Sequence, residues 1–171
     1  MYFFKAAVLC LLPFLSLTVA APSKRGPPTS PNSGVIVQPA SGAVIAPGQS
    51  FDFSYDTKAD YGVSSYNFNV YLFTSKPTGF VVDEDYATGH YYGRWALPNY
   101  PGNPSPTNLP PAQLTMPDFS KNPGGFGSGA HAENQTVYLT VVEEYATGSG
   151  SVGLRLSLAI TELIYNGTSA H

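Results

Sequence analysis

Cysteine is almost missing from this chain. One occurs among 171 residues, Cys10, and it sits in the apolar N-terminal stretch. The remainder therefore has no disulfide, no thiolate metal site and no cysteine nucleophile. Charge is scarce too, at 11%, with 8 basic and 11 acidic side chains and a formal net charge of -3. Without a basic excess to neutralise phosphates, nucleic acid is excluded as a partner. The three histidines, His90, His131 and His171, lack ligand spacing, and no G-x-S-x-G string marks a serine nucleophile. The sequence thus calls for no metal and no cofactor.

An uninterrupted membrane span is also lacking. The longest apolar stretch, Ala6 to Ala20, is broken at Pro13, and it falls short of the ~20 residues a membrane helix needs. Lys5 precedes it, and the small residues Ala20 and Ala21 follow. A positive flank, a short apolar core and small exit residues have the form of a secretory signal peptide, assigned to residues 1–21. Residues 22–33 are rich in Pro, Ser, Gly and Asn, a flexible leader. Within it, Lys24-Arg25 resembles the dibasic site trimmed by kexin-type proteases of the eukaryotic secretory pathway; the alternative is a solvated basic pair. Loss of residues 1–25 would remove Lys5, Lys24 and Arg25 and leave five basic against 11 acidic side chains, about -6 in net charge. Two sequons, Asn134-Gln135-Thr136 and Asn166-Gly167-Thr168, make Asn134 and Asn166 candidate glycosylation sites in a secreted protein.

What is present is apolar and turn-rich. Hydrophobic residues make up 43% of the chain, too many for a disordered protein. The length suits one domain, assigned to residues 34–166 with a tail at 167–171. Gly 17 and Pro 16 favour turns and loops over helices. Val35-Ile36-Val37 and Ala43-Val44-Ile45 are short runs stopped by proline, and they predict edge strands. From Ser50 to Asp56 the alternation is clean, with Phe51, Phe53 and Tyr55 on one side. Tyr66, Phe68, Val70 and Leu72 share a face, and Tyr71 and Phe73 make the opposite face apolar as well, so that end requires a cover. Val137, Leu139 and Val141 predict another inward set. Val152, Leu154, Leu156, Leu158 and Ile160 hold five alternate positions and are expected inward, with a bulge near Glu162 where the phase slips.

Short alternating strands separated by turn clusters predict an all-β fold, an immunoglobulin-like antiparallel β-sandwich, with a jelly roll or small barrel as the alternative. Alternation is lost across a long Pro/Gly-rich loop, residues 96–133, which holds eight of the 16 prolines. Leu109, Leu114, Met116 and Phe119 in this loop are expected to cover the face bearing Tyr71 and Phe73.

The string VIVQPASGAVIAPGQSFDFSYD, Val35 to Asp56, resembles the start of fungal extracellular immunoglobulin-like domains related to the yeast cell-wall glucan-assembly proteins. The whole chain is similar to small secreted proteins of mushroom-forming and plant-associated fungi. The resemblance implies a sandwich fold and an extracellular fungal setting, and it carries over no catalytic residue. The Pro-rich insertion at 96–125 departs from it.

The densest aromatic patch is His90 to Trp95, with Tyr100 nearby. Tyr91, Tyr92, Arg94, Trp95 and Tyr100 are the candidate binding residues, since planar rings with a hydrogen-bonding edge suit sugar or peptide recognition. The alternative is that these rings close one end of the fold. Asp83-Glu84-Asp85 and Glu143-Glu144 each precede Tyr-Ala-Thr-Gly and are expected as solvated strand ends. Neighbours on a strand point to opposite faces, so Glu143 and Glu144 make no catalytic pair between themselves. The resulting expectation is a secreted, non-enzymatic protein that binds a cell-wall glycan or a host surface molecule, with an effector role in host interaction included. The alternatives are a carbohydrate-active hydrolase using Glu143 or Glu144 with Asp83 or Asp85, and a structural cell-wall component.

Overall fold

The computed structural model describes residues 33–57, 59–60, 63–80, 88–98, 103–119, 132–146 and 154–167. All regular elements among them are strands: β1 (Val35–Gln38), β2 (Val44–Ile45), β3 (Ser50–Asp52), β4 (Ser54–Asp56), β5 (Ala59–Asp60), β6 (Val63–Phe73), β7 (Thr88–Trp95), β8 (Gln113–Thr115), β9 (Gln135–Ala146) and β10 (Leu154–Tyr165). The protein is all-β. Among the described residues no helix is long and apolar enough to cross a membrane.

Three long strands organise the domain. β9 lies between β6 and β10, antiparallel to both, and β7 and β5 pair with the other side of β6. The sheet is mixed rather than purely antiparallel, because β2 runs parallel to β10, with Val44 opposite Ile164 and Ile45 opposite Tyr165. Almost the whole domain separates β2 from β10 in sequence, so no hairpin imposes an antiparallel direction on them. Backbone hydrogen bonds from the Ile164 N–H to the Ala43 carbonyl (2.9 Å) and from the Asn166 N–H to the Ile45 carbonyl (3.2 Å) hold the pair. Two small sheets complete the fold, β1 with β4 and β3 with β8.

The Ser50–Asp56 alternation forms two strands instead of one. The chain breaks ladder pairing at Phe53, whose N–H donates to the Ala112 carbonyl at 2.9 Å, and changes partner from β8 to β1. The side-chain period survives the break. Phe51, Phe53 and Tyr55 are all buried, together with Phe68, Val70, Leu72, Val137, Leu139, Val141, Leu163 and Tyr165. One apolar core results, as the alternation of β6 and β9 predicts.

β10 reverses its expected face. Its register with β9 runs from Leu154 opposite Ala146 to Tyr165 opposite Gln135 without a shift, so there is no bulge at Glu162. Ser157, Ala159, Thr161 and Leu163 pair with Glu143, Val141, Leu139 and Val137, the inward set of β9. Leu156 is consequently 51% exposed, while Leu163 and Tyr165 are fully buried. Paired residues share a face, so the partner strand decided the orientation against the apolar count of β10 itself. Val152 lies outside the described residues.

The Pro-rich segment also differs from expectation. Leu114, Met116 and Phe119 enter the core, with the Phe119 ring 5.1 Å from that of Tyr165, and Leu109 is 57% exposed. None of the buried three covers Tyr71 and Phe73. Pairing of β8 with β3 places Leu114 beside Phe51, and this directs the segment inward.

Several tyrosine hydroxyls feel this packing. Burial pushes the Tyr55 and Tyr92 hydroxyls well above the ordinary tyrosine value, and those of Tyr71 and Tyr165 upward as well; at Tyr55 the nearby Glu143 adds to the effect. The unfolded chain releases these protons near pH ~10 while the folded chain retains them, so rising pH favours the unfolded state. Stability is expected to hold up to about pH 9 and to fall as the pH passes ~10. Denaturation midpoints measured across that range check this, and a flat profile through tyrosine ionisation contradicts it.

Candidate functional site

β7 carries the aromatic patch, and a bulge divides it between two faces. Gly93 pairs with Val70 and Tyr91 with Tyr71, which leaves Tyr92 as the extra residue. Gly93 adopts φ 153°, and a Cβ there would lie 2.7 Å from Cζ2 of Trp95. The indole therefore folds over this glycine toward the core, with its centroid 6.3 Å from Phe53 and 6.4 Å from Phe68. Tyr92 points the same way and meets Phe51 edge-on at 6.3 Å. Tyr91 and Arg94 project from the opposite, outer face of the sheet.

The five candidate residues thus do not form one site. Tyr92 and Trp95 pack against the core, Tyr91 and Arg94 come together outside, and Tyr100 lies outside the described residues. Substitution should separate these roles. Trp95→Ala is expected to cost about 3 kcal/mol through lost core packing, and Tyr91→Ala to stay within about 0.5 kcal/mol. Urea unfolding of both variants provides the measurement, and equal effects would contradict the division.

Alternation on β6 brings Asn67, Asn69, Tyr71 and Phe73 to the outer face, where β9 contributes Tyr138, Val142 and Glu144. Tyr71 is the centre of an aromatic platform. Its ring lies 5.0 Å from Tyr91 at 37° and 5.5 Å from Phe73 at 40°. Tyr138 pairs with Phe73 across the ladder and carries Lys76 Nζ 5.9 Å from its ring centroid. Tyr91 is 49% exposed and forms the open corner of the platform.

A polar network borders the rings. The Tyr91 hydroxyl donates to Asn69 Oδ1 at 3.2 Å, and Asn69 Nδ2 donates to Glu144 Oε1 at 3.2 Å. Arg94 closes the network with two hydrogen bonds to Glu144, Nη2 to Oε2 at 2.9 Å and Nε to Oε1 at 3.4 Å. At the other end Lys76 pairs with Glu162 at 2.7 Å. Both ion pairs are solvent-facing and neutralise the formal charges locally. Beyond Tyr138 the face becomes aliphatic, with Val142, Leu158, Ile160 and Ile164 half-buried and Leu156 and Val44 exposed.

The acidic residues of β9 take different roles. Glu143 and Glu144 point to opposite faces, as alternation requires, so they cannot act on one substrate atom. Glu143 is not the solvated strand end that its neighbourhood in sequence implied. It is 0% exposed, accepts the Gly34 N–H at 3.0 Å and accepts a short hydrogen bond from the Tyr55 hydroxyl. A buried carboxylate needs such donors to offset its desolvation. The lone hint in the sequence is the alternation itself, which puts Glu143 in phase with Val137, Leu139 and Val141.

The other candidates are scattered or lie beyond the described residues. Asp83, Glu84, Asp85, His131 and His171 lie outside them, as do Ala20, Ala21, Lys24 and Arg25. His90 stands edge-on to Tyr92 at 4.7 Å, and burial lowers its pKa. Among the described residues no three His, Cys, Asp or Glu side chains are grouped to hold a metal ion. Asn134 is exposed at the entry to β9 with φ 51°, whereas Asn166 is half-buried beside β2.

No protein-family model and no curated protein matches this chain. Fold and site together define an all-β domain whose large sheet buries one face in the core and carries a partly exposed aromatic cluster on the other.

Proposed function

We propose that this is a secreted, non-enzymatic binding protein that recognises an extracellular glycan, of a cell wall or of a host surface, through the outer face of its large sheet. The observation that carries the reading is the Tyr91–Tyr71–Phe73 cluster, with Tyr91 exposed and Tyr71 and Phe73 half-buried, bordered by the Asn69–Glu144–Arg94 network. Monomeric soluble proteins rarely leave contiguous apolar surface open without a use for it. Tyrosine offers a large stacking area with a hydrogen-bonding edge and loses little entropy on binding. The signal assigned to residues 1–21 and the two sequons support export, and the Val35–Asp56 resemblance supports a fungal extracellular setting. A common core shared by the large sheet and the two small ones supports an immunoglobulin-like sandwich with the 96–133 loop as an insertion. An effector role in host interaction and attachment to the producing cell's own wall both fit this activity.

Pull-down with isolated fungal and host wall extracts tests the proposal. The native chain is expected to be retained, and the double variant Tyr71→Ala/Tyr91→Ala to lose at least about tenfold in affinity while remaining folded. Retention that survives the double variant would refute this face as the binding surface. Turnover of a glycan panel that Glu144→Gln abolishes would replace the binding reading with a hydrolase.

A further inference from the structure

We infer that the open edge of β10 is a self-association site, along which a second copy of this chain lays its own β10 antiparallel, about a two-fold axis at Ser157. The inference goes beyond the binding reading above and does not rest on it.

The edge is open over a defined stretch. β9 pairs with one side of β10 from Leu154 to Tyr165, whereas β2 and the turn before it reach the other side only at the C-terminal end. There the Glu162 carbonyl accepts the Gly42 N–H at 2.7 Å, and the Ile164 N–H donates to the Ala43 carbonyl at 2.9 Å. Backbone groups alternate in direction along a strand, so Leu154, Leu156, Leu158 and Ile160 turn their N–H and C=O groups to this same side. Among the described residues no strand pairs with them there. Natural proteins blunt such an edge with proline, lysine or a bulge. Residues 154–161 hold neither proline nor lysine, and their register with β9 is unbroken.

Symmetry selects the occupant. The open residues are centred on Ser157, so a two-fold axis there sets Leu154 against the partner's Ile160 and Leu156 against the partner's Leu158, and the reverse. Each of their outward backbone groups then gains a hydrogen-bond partner, in an isologous and closed interface. Moving the axis to Leu158 would set Leu154 against Glu162, whose carbonyl is already taken by Gly42. With the axis at Ser157, this residue and its copy form the central non-hydrogen-bonded pair, with Cα atoms about 4.5 Å apart. The Ser157 hydroxyl is buried and has no hydrogen-bond partner among the described residues. Opposite its own copy, and after rotation about χ1, it can donate or accept across the axis.

Side chains fit the same geometry. On the outer face Leu156 is exposed and Leu158 and Ile160 are half-buried, an aliphatic row that its own copy would cover. On the inner face Ser157 and Ala159 are small enough for close approach. Arg155, near the end of the stretch, stands opposite the partner's Ala159 and meets no like charge. The axis runs normal to the sheet, so both copies of the aromatic cluster come to lie on one side of a continuous sheet.

Sedimentation of the purified chain over a concentration series up to about 100 µM checks the inference, with a monomer–dimer equilibrium expected. Leu156→Lys, at an exposed position, should weaken dimerisation by at least about tenfold. Ser157→Cys should give a covalent dimer under mild oxidation, because a close non-hydrogen-bonded pair brings two Cβ atoms within disulfide range. Arg155→Cys, displaced from the axis, should not, and the native chain controls for Cys10. The crosslink keeps the test valid should Leu156→Lys fail to fold. A native chain that stays monomeric throughout would overturn the inference. A dimer that ignores Leu156→Lys, or that crosslinks through Arg155→Cys and not through Ser157→Cys, would do the same. Open-ended assembly would also overturn it, since β10 would then pair with a different edge.

Discussion

Glu143→Ala is expected to destabilise the domain by about 2–6 kcal/mol, because two buried donors lose their acceptor at about 1–3 kcal/mol each. Truncation leaves the Gly34 N–H and the Tyr55 hydroxyl facing an apolar void, and an unsatisfied buried donor costs about 1–3 kcal/mol. Little space exists for the neighbours to close in. A Cβ on Gly34 would run into the Asp56 carbonyl oxygen and the Tyr55 hydroxyl. The carboxylate also joins three separate pieces of the fold, the entry to β1, the β4 ring and the C-terminal third of β9. A domain of this kind holds about 5–15 kcal/mol in total, so the loss removes a large share.

Tyr55→Phe isolates the hydrogen bond from the cavity. It keeps the ring against Phe68, at a centroid distance of 5.0 Å, and deletes only the donor. A cost of about 1.5–3 kcal/mol is expected, the value of a hydrogen bond to a charged group. Denaturation midpoints by circular dichroism measure both variants. If Glu143→Ala unfolds at the same denaturant concentration as the native chain, Glu143 is not the internal tether described above.

The second large effect falls in the Pro-rich segment. Met116→Ala should cost about 2–5 kcal/mol, as for any fully buried large side chain cut to alanine. Met116 has its N–H on the Gln49 carbonyl at 2.9 Å and its carbonyl on the Gly48 N–H at 2.8 Å, so its backbone is fixed as firmly as a strand residue. A void there cannot collapse easily. Leu109→Ala, in the same loop but largely exposed, should change stability by no more than about 0.5 kcal/mol. Similar losses at the two positions would mean that the segment does not belong to the core. With Cys10 as the chain's one cysteine, no disulfide is available to cushion either substitution.

Much of the fold was legible because period two is a local property. Phe51, Phe53 and Tyr55, the set Phe68, Val70 and Leu72, and the set Val137, Leu139 and Val141 are buried as their spacing implied. The Pro-rich loop also holds a readable trace, since Gln113-Leu114-Thr115-Met116 alternates between Pro111 and Pro117. β10 misled because apolar residues occupy both of its phases. Leu156, Leu158 and Ile160 outnumber Leu163 and the Tyr165 ring, and only pairing with β9 shows which phase is inside.

The site was legible in part. Tyr91 and Arg94 stood out by composition, whereas Asn69, Tyr71 and Phe73 belong to a strand distant in sequence and joined the candidates only through register with β7. The bulge at Tyr92 put Tyr91 with Arg94 and Tyr92 with Trp95, where unbroken alternation would put Tyr91 with Trp95, and a single residue of bulge is invisible to a count of aromatics.

The amino-acid sequence by itself determined the strand character, the alternating apolar sets and the lack of any cysteine-based chemistry, because each depends on neighbouring residues or on composition. The tertiary structure decided which face of β10 is buried, that Glu143 is sealed inside while Glu144 meets Arg94, and that Tyr71 stands beside Tyr91. Those outcomes depend on the register between strands far apart in the chain. A shift of one residue in that register exchanges inside for outside without altering a single letter of the sequence.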